Sequence, residues 1–129
     1  MTGSLLLDTN AVIAFFKGEH SVLSLTAPVA QCFVPSIVIG ELLYGALHSA
    51  RVFENTERIQ SFAEVVIILA CDRQTAAEYA RIKHRLRIAG TPIPENDIWI
   101  AALAVQYNLT ILSKDSHVDL VTDVVRNEW

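Results

Sequence analysis

Four acidic residues occupy positions where a carboxylate is costly unless something holds it. Asp8 directly follows the apolar run Leu5-Leu6-Leu7, and Asp115 lies just beyond Leu109-Thr110-Ile111-Leu112. Asp97 precedes the wholly apolar stretch Ile98–Val105, and Glu41 interrupts a segment otherwise reading Ile37, Val38, Ile39, Leu42 and Leu43. An unpaired charge in such surroundings is strongly disfavoured or is removed by protonation. A divalent cation shared among the carboxylates lifts that penalty. Oxygen-only ligands suit Mg2+ or Mn2+. Such ions activate water and steady the leaving oxygen of a phosphodiester, so carboxylates without His or Cys partners favour phosphoryl chemistry over zinc hydrolysis. Asp8, Glu41, Asp97 and Asp115 are therefore candidate metal ligands and catalytic residues. Each also has a plain structural reading. Asp8 is a helix-capping type, and Asp97 at the start of a helix complements its dipole without any metal.

The elements that must bring these acids together alternate between strand and helix. Leu5-Leu6-Leu7 reads as a central strand, apolar throughout, stopped by Asp8-Thr9-Asn10. A helix is expected over Ala11–Lys17, closed by Gly18, and a short second one over residues 21–28. Cys32-Phe33-Val34 is a short strand, after which Ser36 is a plausible N-cap for the helix carrying Glu41. A more polar helix follows over residues 49–63, then the β-branched run Val65–Leu69, expected to be a second central strand. Asp72 caps a long helix to Ala89 with Tyr79, Ile82, Leu86 and Ala89 as its apolar stripe, ended by Gly90. Thr91-Pro92-Ile93-Pro94 is a turn, Asn96–Tyr107 a nearly all-apolar helix and Leu109–Leu112 a further strand, with an edge strand expected in residues 121–126. This alternation implies an α/β fold with a parallel sheet covered on both faces. Such sheets take ligands at the carboxyl ends of their strands, where strand order reverses.

A chain of 129 residues fits a single domain, 1–129, and at 52% hydrophobic residues it has ample material for one core. The apolar runs Val65–Cys71 and Ile98–Val105 fall far short of the roughly 20 residues that a membrane-spanning helix needs. Met1-Thr2-Gly3-Ser4 has no basic segment of the kind that opens a signal peptide. Cys32 and Cys71 show no Cys-x-x-Cys spacing and read as buried free thiols of a reducing compartment, which points to the cytoplasm. The net charge of −4 gives no general polycation for nucleic acid, yet the four candidate carboxylates equal the whole acidic excess. Neutralised by metal, they leave a balanced remainder and no electrostatic objection to an anionic substrate.

The segments Leu6-Leu7-Asp8-Thr9-Asn10, Pro35-Ser36-Ile37-Val38-Ile39-Gly40-Glu41-Leu42, Asn96-Asp97-Ile98-Trp99-Ile100-Ala101-Ala102 and Ser113-Lys114-Asp115 occur in that order. Any one alone is weak, but the ordered set resembles the PIN-domain family, particularly its VapC-type toxin branch, over essentially the whole chain. The resemblance implies a three-layer α/β/α fold with a central, mainly parallel sheet, and an Mg2+- or Mn2+-dependent endoribonuclease that cuts tRNA or rRNA. It carries over Asp8, Glu41, Asp97 and Asp115 as the acidic quartet, with Thr9, Asn10 and Ser113 orienting the carboxylates by hydrogen bonds. It also implies a homodimer and a small antitoxin that docks against the toxin and blocks its site.

One departure from the family pattern stands at Asp115-Ser116-His117-Val118, where many relatives continue Asp-x-Asp-Phe. His117 replaces a fifth carboxylate, which puts a metal-binding role for that position in doubt; a lone histidine reads first as a surface or hydrogen-bonding residue. Arg81, Lys83, Arg85 and Arg87, with His84, form the one basic cluster. It reads either as a solvated helix face or as a rail for RNA phosphates, in which case Arg85 and Arg87 are contacts. Two alternatives stay open beside the toxin: a phosphatase, DNA nuclease or RNA-processing nuclease on a similar scaffold, and a PIN-like fold used only for binding.

Overall fold

The computed structural model describes residues 4–129, so Met1, Thr2 and Gly3, and the expectation about a leader that falls on them, lie outside the described residues. β1 (Leu5–Leu7) is the middle of a five-stranded sheet ordered β3-β2-β1-β4-β5, with β2 (Phe33–Pro35), β3 (Ile67–Leu69), β4 (Thr110–Leu112) and β5 (Arg126–Asn127). Every pairing is parallel. The three residues of β1 are buried on both sides, as an apolar run without alternation requires.

The helices are α1 (Thr9–Phe16), α2 (His20–Leu25), α3 (Ser36–Leu47), α4 (Val52–Val65), α5 (Arg73–Ala89) and α6 (Glu95–Tyr107). From β1 the chain steps outward through β2 to β3. It then returns through α5 and α6 to lay β4 against the opposite side of β1. Strand order thus reverses between β1 and β4, and a crevice opens beyond their carboxyl ends. Asp8 follows β1 and Asp115 follows β4, so the reversal sets both at that crevice.

The near-uniform apolarity of α6 has a packing cause. Ile100, Leu103 and Ala104 join the sheet core with Leu6, Leu7 and Ile111, while Ile98, Ala101 and Ala102 pack in a second cluster with Ile82 and Leu86 of α5. A helix buried on two sides needs no polar stripe. Burying a leucine such as Leu103 contributes about 1.5–3 kcal/mol. Asp72 caps α5 reciprocally with Thr75, and Gly90 closes it at φ 72°, a left-handed turn that a side chain would strain.

Four expectations change. Val65–Leu69 is not central: α4 continues through Val65, the strand keeps only Ile67–Leu69, and it lies at the sheet edge with Ile67 and Ile68 exposed. A continuous β-branched run marks a strand, but its neighbours are chosen by crossovers that local composition does not record. Ser36 does not cap α3; it is the first helical residue, behind Pro35, and provides no capping hydrogen bond. Proline's fixed φ already sets the chain's entry there. Cys32 is buried as expected, but Cys71 is exposed, because it sits in the link between the edge strand and α5. The tail does add an edge strand, but it is shorter and later than expected, overlapping residues 121–126 only at Arg126 and running on to Asn127. No helix among the described residues is long and apolar enough to cross a membrane.

Candidate active site

Asp8 ends β1 and caps α1, its carboxylate accepting the Ala11 N–H at 2.8 Å. The capping reading holds, and it is compatible with a ligand role, because the cap fixes one oxygen and orients the group. Asp115 begins a short 3-10 turn over Ser116–Leu120 and accepts the His117 backbone N–H at 2.9 Å. Asp97 lies in the first turn of α6, half-buried. Glu41 projects from the second turn of α3, where Thr9 Oγ1 donates to its Oε1 at 2.6 Å and Asn96 Nδ2 donates to its Oε2 at 3.1 Å.

Electrostatics tie the four together. Burial first, and then the charges of Asp115 and Glu41, raise the Asp8 pKa above the ordinary carboxylate value, against hydrogen bonds from Ser113 and Ala11 that lower it. Burial is likewise the main cause raising Asp97, followed by the charge of Asp115; His117 opposes the rise, and Asp8 and Glu41 add to it. Carboxylates from four separate stretches of chain thus lie close enough for their charges to act on Asp8 and Asp97, and both of these are held towards the protonated form. That is what a divalent cation relieves, and the oxygen-rich donor set fits Mg2+ or Mn2+.

The supporting residues divide. Ser113 is fully buried; its hydroxyl accepts the Asp115 N–H at 2.9 Å and lies against Asp8, linking two acids. Thr9 holds Glu41. Asn10 is exposed and makes no side-chain hydrogen bond among the described residues, so it is not gathered with them. Arg85 pairs with Asp123 at 2.8 Å beside Arg81, whereas Arg87 is exposed and has no ion pair among the described residues.

Two further residues stand at the site that sequence reasoning does not pick out. Asn96 belongs to a family motif, but nothing in that motif separates an amide that holds Glu41 from one that simply begins a helix. His117 stands out in the sequence only as a departure from the family pattern. Its Nδ1 lies 3.1 Å from Asp115 Oδ2 and 3.9 Å from Asp97 Oδ2. Asp97, Asp115 and His117 offer ligand atoms all within 4.8 Å of one another.

A parallel sheet whose strand order reverses beside a group of carboxylates defines an α/β domain with a candidate metal site at the carboxyl ends of its strands. The chain belongs to the PIN domain family, whose model matches residues 5–123. Within that family its likeness is to the VapC proteins. It is 36% identical over 112 residues to Ribonuclease VapC2 of Haemophilus influenzae, covering 85% of each chain. It is 29% identical to the tRNA(fMet)-specific endonuclease VapC of Salmonella typhimurium, again covering 85% of each. Among solved structures it is similar to VapBC-1 of nontypeable Haemophilus influenzae, with a TM-score of 0.84, 26% identity and 97% of each chain covered.

Proposed function

We propose that this single domain, residues 1–129, is a cytoplasmic endoribonuclease that hydrolyses RNA phosphodiesters and serves as the toxin of a toxin–antitoxin pair. The observation that supports it most is the convergence of Asp8, Glu41, Asp97 and Asp115, with Asp8 and Asp97 pushed towards protonation in the absence of a cation. Asp8, Asp97 and Asp115 would hold Mg2+ or Mn2+, and Glu41 would complete the set. When bound, the ion supplies the Lewis acidity that makes water nucleophilic near neutral pH and neutralises charge on the scissile phosphate.

The chain's own groups do the rest. Ser113 keeps the Asp8 and Asp115 carboxylates in fixed relation, and Thr9 and Asn96 hold both oxygens of Glu41. So placed, Glu41 accepts the proton of the attacking water. Water as nucleophile leaves 5′-phosphate and 3′-hydroxyl ends. The name of the Salmonella typhimurium relative supports tRNA as the substrate class, and a single-stranded loop is the part of such an RNA that a crevice admits. An apolar groove of about 320 Å3 lined by Ile13, Phe16, Leu42 and Ile59 opens onto Glu41 and gives a small antitoxin a place to lie against the site. The working unit in this reading is a homodimer.

The test is to incubate the purified, antitoxin-free protein and its Asp8→Asn variant with total RNA in Mg2+, Mn2+ or EDTA, and to map the product ends. Cleavage by the parent alone, lost in EDTA and leaving 5′-phosphates, is the expected result. A 2′,3′-cyclic phosphate would sink the water mechanism, and equal, metal-independent behaviour of the two proteins would sink the nuclease reading.

A further inference from the structure

We infer that His117 is itself a ligand of the cation, through Nδ1, and that it biases the site towards Mn2+ over Mg2+. The inference rests on the metal-nuclease reading above and deepens it. The imidazole nitrogen faces two carboxylates: it lies 2.9 Å from Asp115 Oδ1, 3.1 Å from Asp115 Oδ2 and 3.9 Å from Asp97 Oδ2. Donor atoms about 2.1 Å from an octahedral ion stand roughly 3 Å apart when adjacent and roughly 4.2 Å apart when opposite. The spacing of this nitrogen from the carboxylate oxygens falls in that range.

The backbone explains why the ring stays there. Asp115 accepts the His117 N–H at 2.9 Å, closing a tight turn that returns the side chain over the carboxylate two positions earlier. The ring is half-exposed, contributes nothing to either core cluster and has no hydrogen-bond partner outside the acidic crevice among the described residues. Its position follows from the site, not from packing. A nitrogen donor also changes what the site selects. Carboxylate and water oxygens suit both ions, but Mn2+, the first member of the divalent transition series, accepts a nitrogen donor more readily than Mg2+, which is held almost wholly by oxygen. Replacing a fifth oxygen ligand by imidazole therefore shifts the balance towards Mn2+.

The test uses the metal alone. Pulsed electron paramagnetic resonance on the Mn2+-loaded protein reads the nitrogen hyperfine coupling of a coordinated imidazole, without RNA or turnover. The coupling is expected in the parent and absent in His117→Asp and His117→Gln. Competition between Mn2+ and Mg2+ should show the Mn2+ preference falling roughly tenfold in His117→Asp, the lower end of what losing a partner of a metal ligand does. Mn2+ bound without imidazole coupling in the parent overturns this inference and leaves the nuclease reading standing. Failure of the parent to bind Mn2+ at all overturns both. Absence of the coupling in the Mn2+-loaded parent overturns the inference whether or not a variant folds, and its loss in either folded His117 variant assigns the nitrogen to this histidine among the chain's four.

Discussion

The Thr9 hydroxyl donates a 2.6 Å hydrogen bond to Glu41 Oε1, joining the first turn of α1 to the second turn of α3. Neither residue is close to the other in sequence, and the bond exists only because β1 and β2 are parallel neighbours that launch both helices from one end of the sheet. Asn96 holds the other Glu41 oxygen from α6. Glu41 is thus fixed from two elements before any substrate arrives.

Thr9→Val removes one of those holds while keeping the side chain's shape. Stability should fall by only about 1 kcal/mol, the usual net worth of one hydrogen bond. RNA cleavage should fall much further, on the order of 10–100-fold, as when an outer partner of a metal ligand is lost. Thermal melting and cleavage rates measured on the same preparation separate the two effects; equal, small losses in both would reduce Thr9 to a structural residue.

The raised pKa values of Asp8 and Asp97 make stability depend on pH in a definite direction. In the folded protein these groups hold protons to a higher pH than in the unfolded chain. The stability they contribute is therefore fully present below the unfolded carboxylate pKa and is lost as pH rises through the folded value. Without divalent cations, the parent should weaken over that rise, and Asp8→Asn or Asp97→Asn should flatten the loss. Saturating Mn2+ should raise the parent's Tm at neutral pH and do so less in Asp97→Asn. Denaturant melts across the acidic range would check this; parallel curves for parent and variants would argue against it.

Arg87 and Arg85 should differ in RNA binding. Arg85 is engaged with Asp123 at 2.8 Å, while Arg87 lines a cavity with Lys83, Ile93 and Glu95 at the start of α6, the helix that carries Asp97. Arg87→Ala should weaken binding and lower the logarithmic salt slope by about one, the signature of a lost phosphate contact. Arg85→Ala should change the slope little. Filter binding over a salt series, using a catalytically silent Asp8→Asn background, reads both, and an unchanged slope for Arg87→Ala would return the cluster to a solvated face.

Arg126 should matter more to the site than its place near the chain end suggests. Its guanidinium donates to the Ser113 carbonyl at 3.1 Å and to both oxygens of Asp119 at 2.9 Å, so it clamps the two ends of the loop that bears Asp115. Arg126→Met should lower Tm and slow cleavage while leaving the helical content intact. Arg126→Lys, which lacks the planar fork, should rescue only part of either. Full rescue by lysine would show that charge alone suffices.

The sequence by itself determined a good deal here. Apolar runs without alternation marked four of the five strands, cap and stop residues marked most helix ends, and acids bordering apolar segments marked the candidate quartet. These are local signals, because a residue's cost of burial and its backbone preference depend on its near neighbours. Only the tertiary structure decided the rest. It moved the Val65–Leu69 run to an edge, because strand order depends on which way each crossover turns. It left Asn10 at the surface while drawing Asn96 onto Glu41, although both are asparagines at the start of a helix. It also turned the His117 ring back over Asp115 and towards Asp97. Hydrogen bonding and charge coupling fall off within a few ångströms, so they depend on distances through space, which the spacing of residues along the chain does not record.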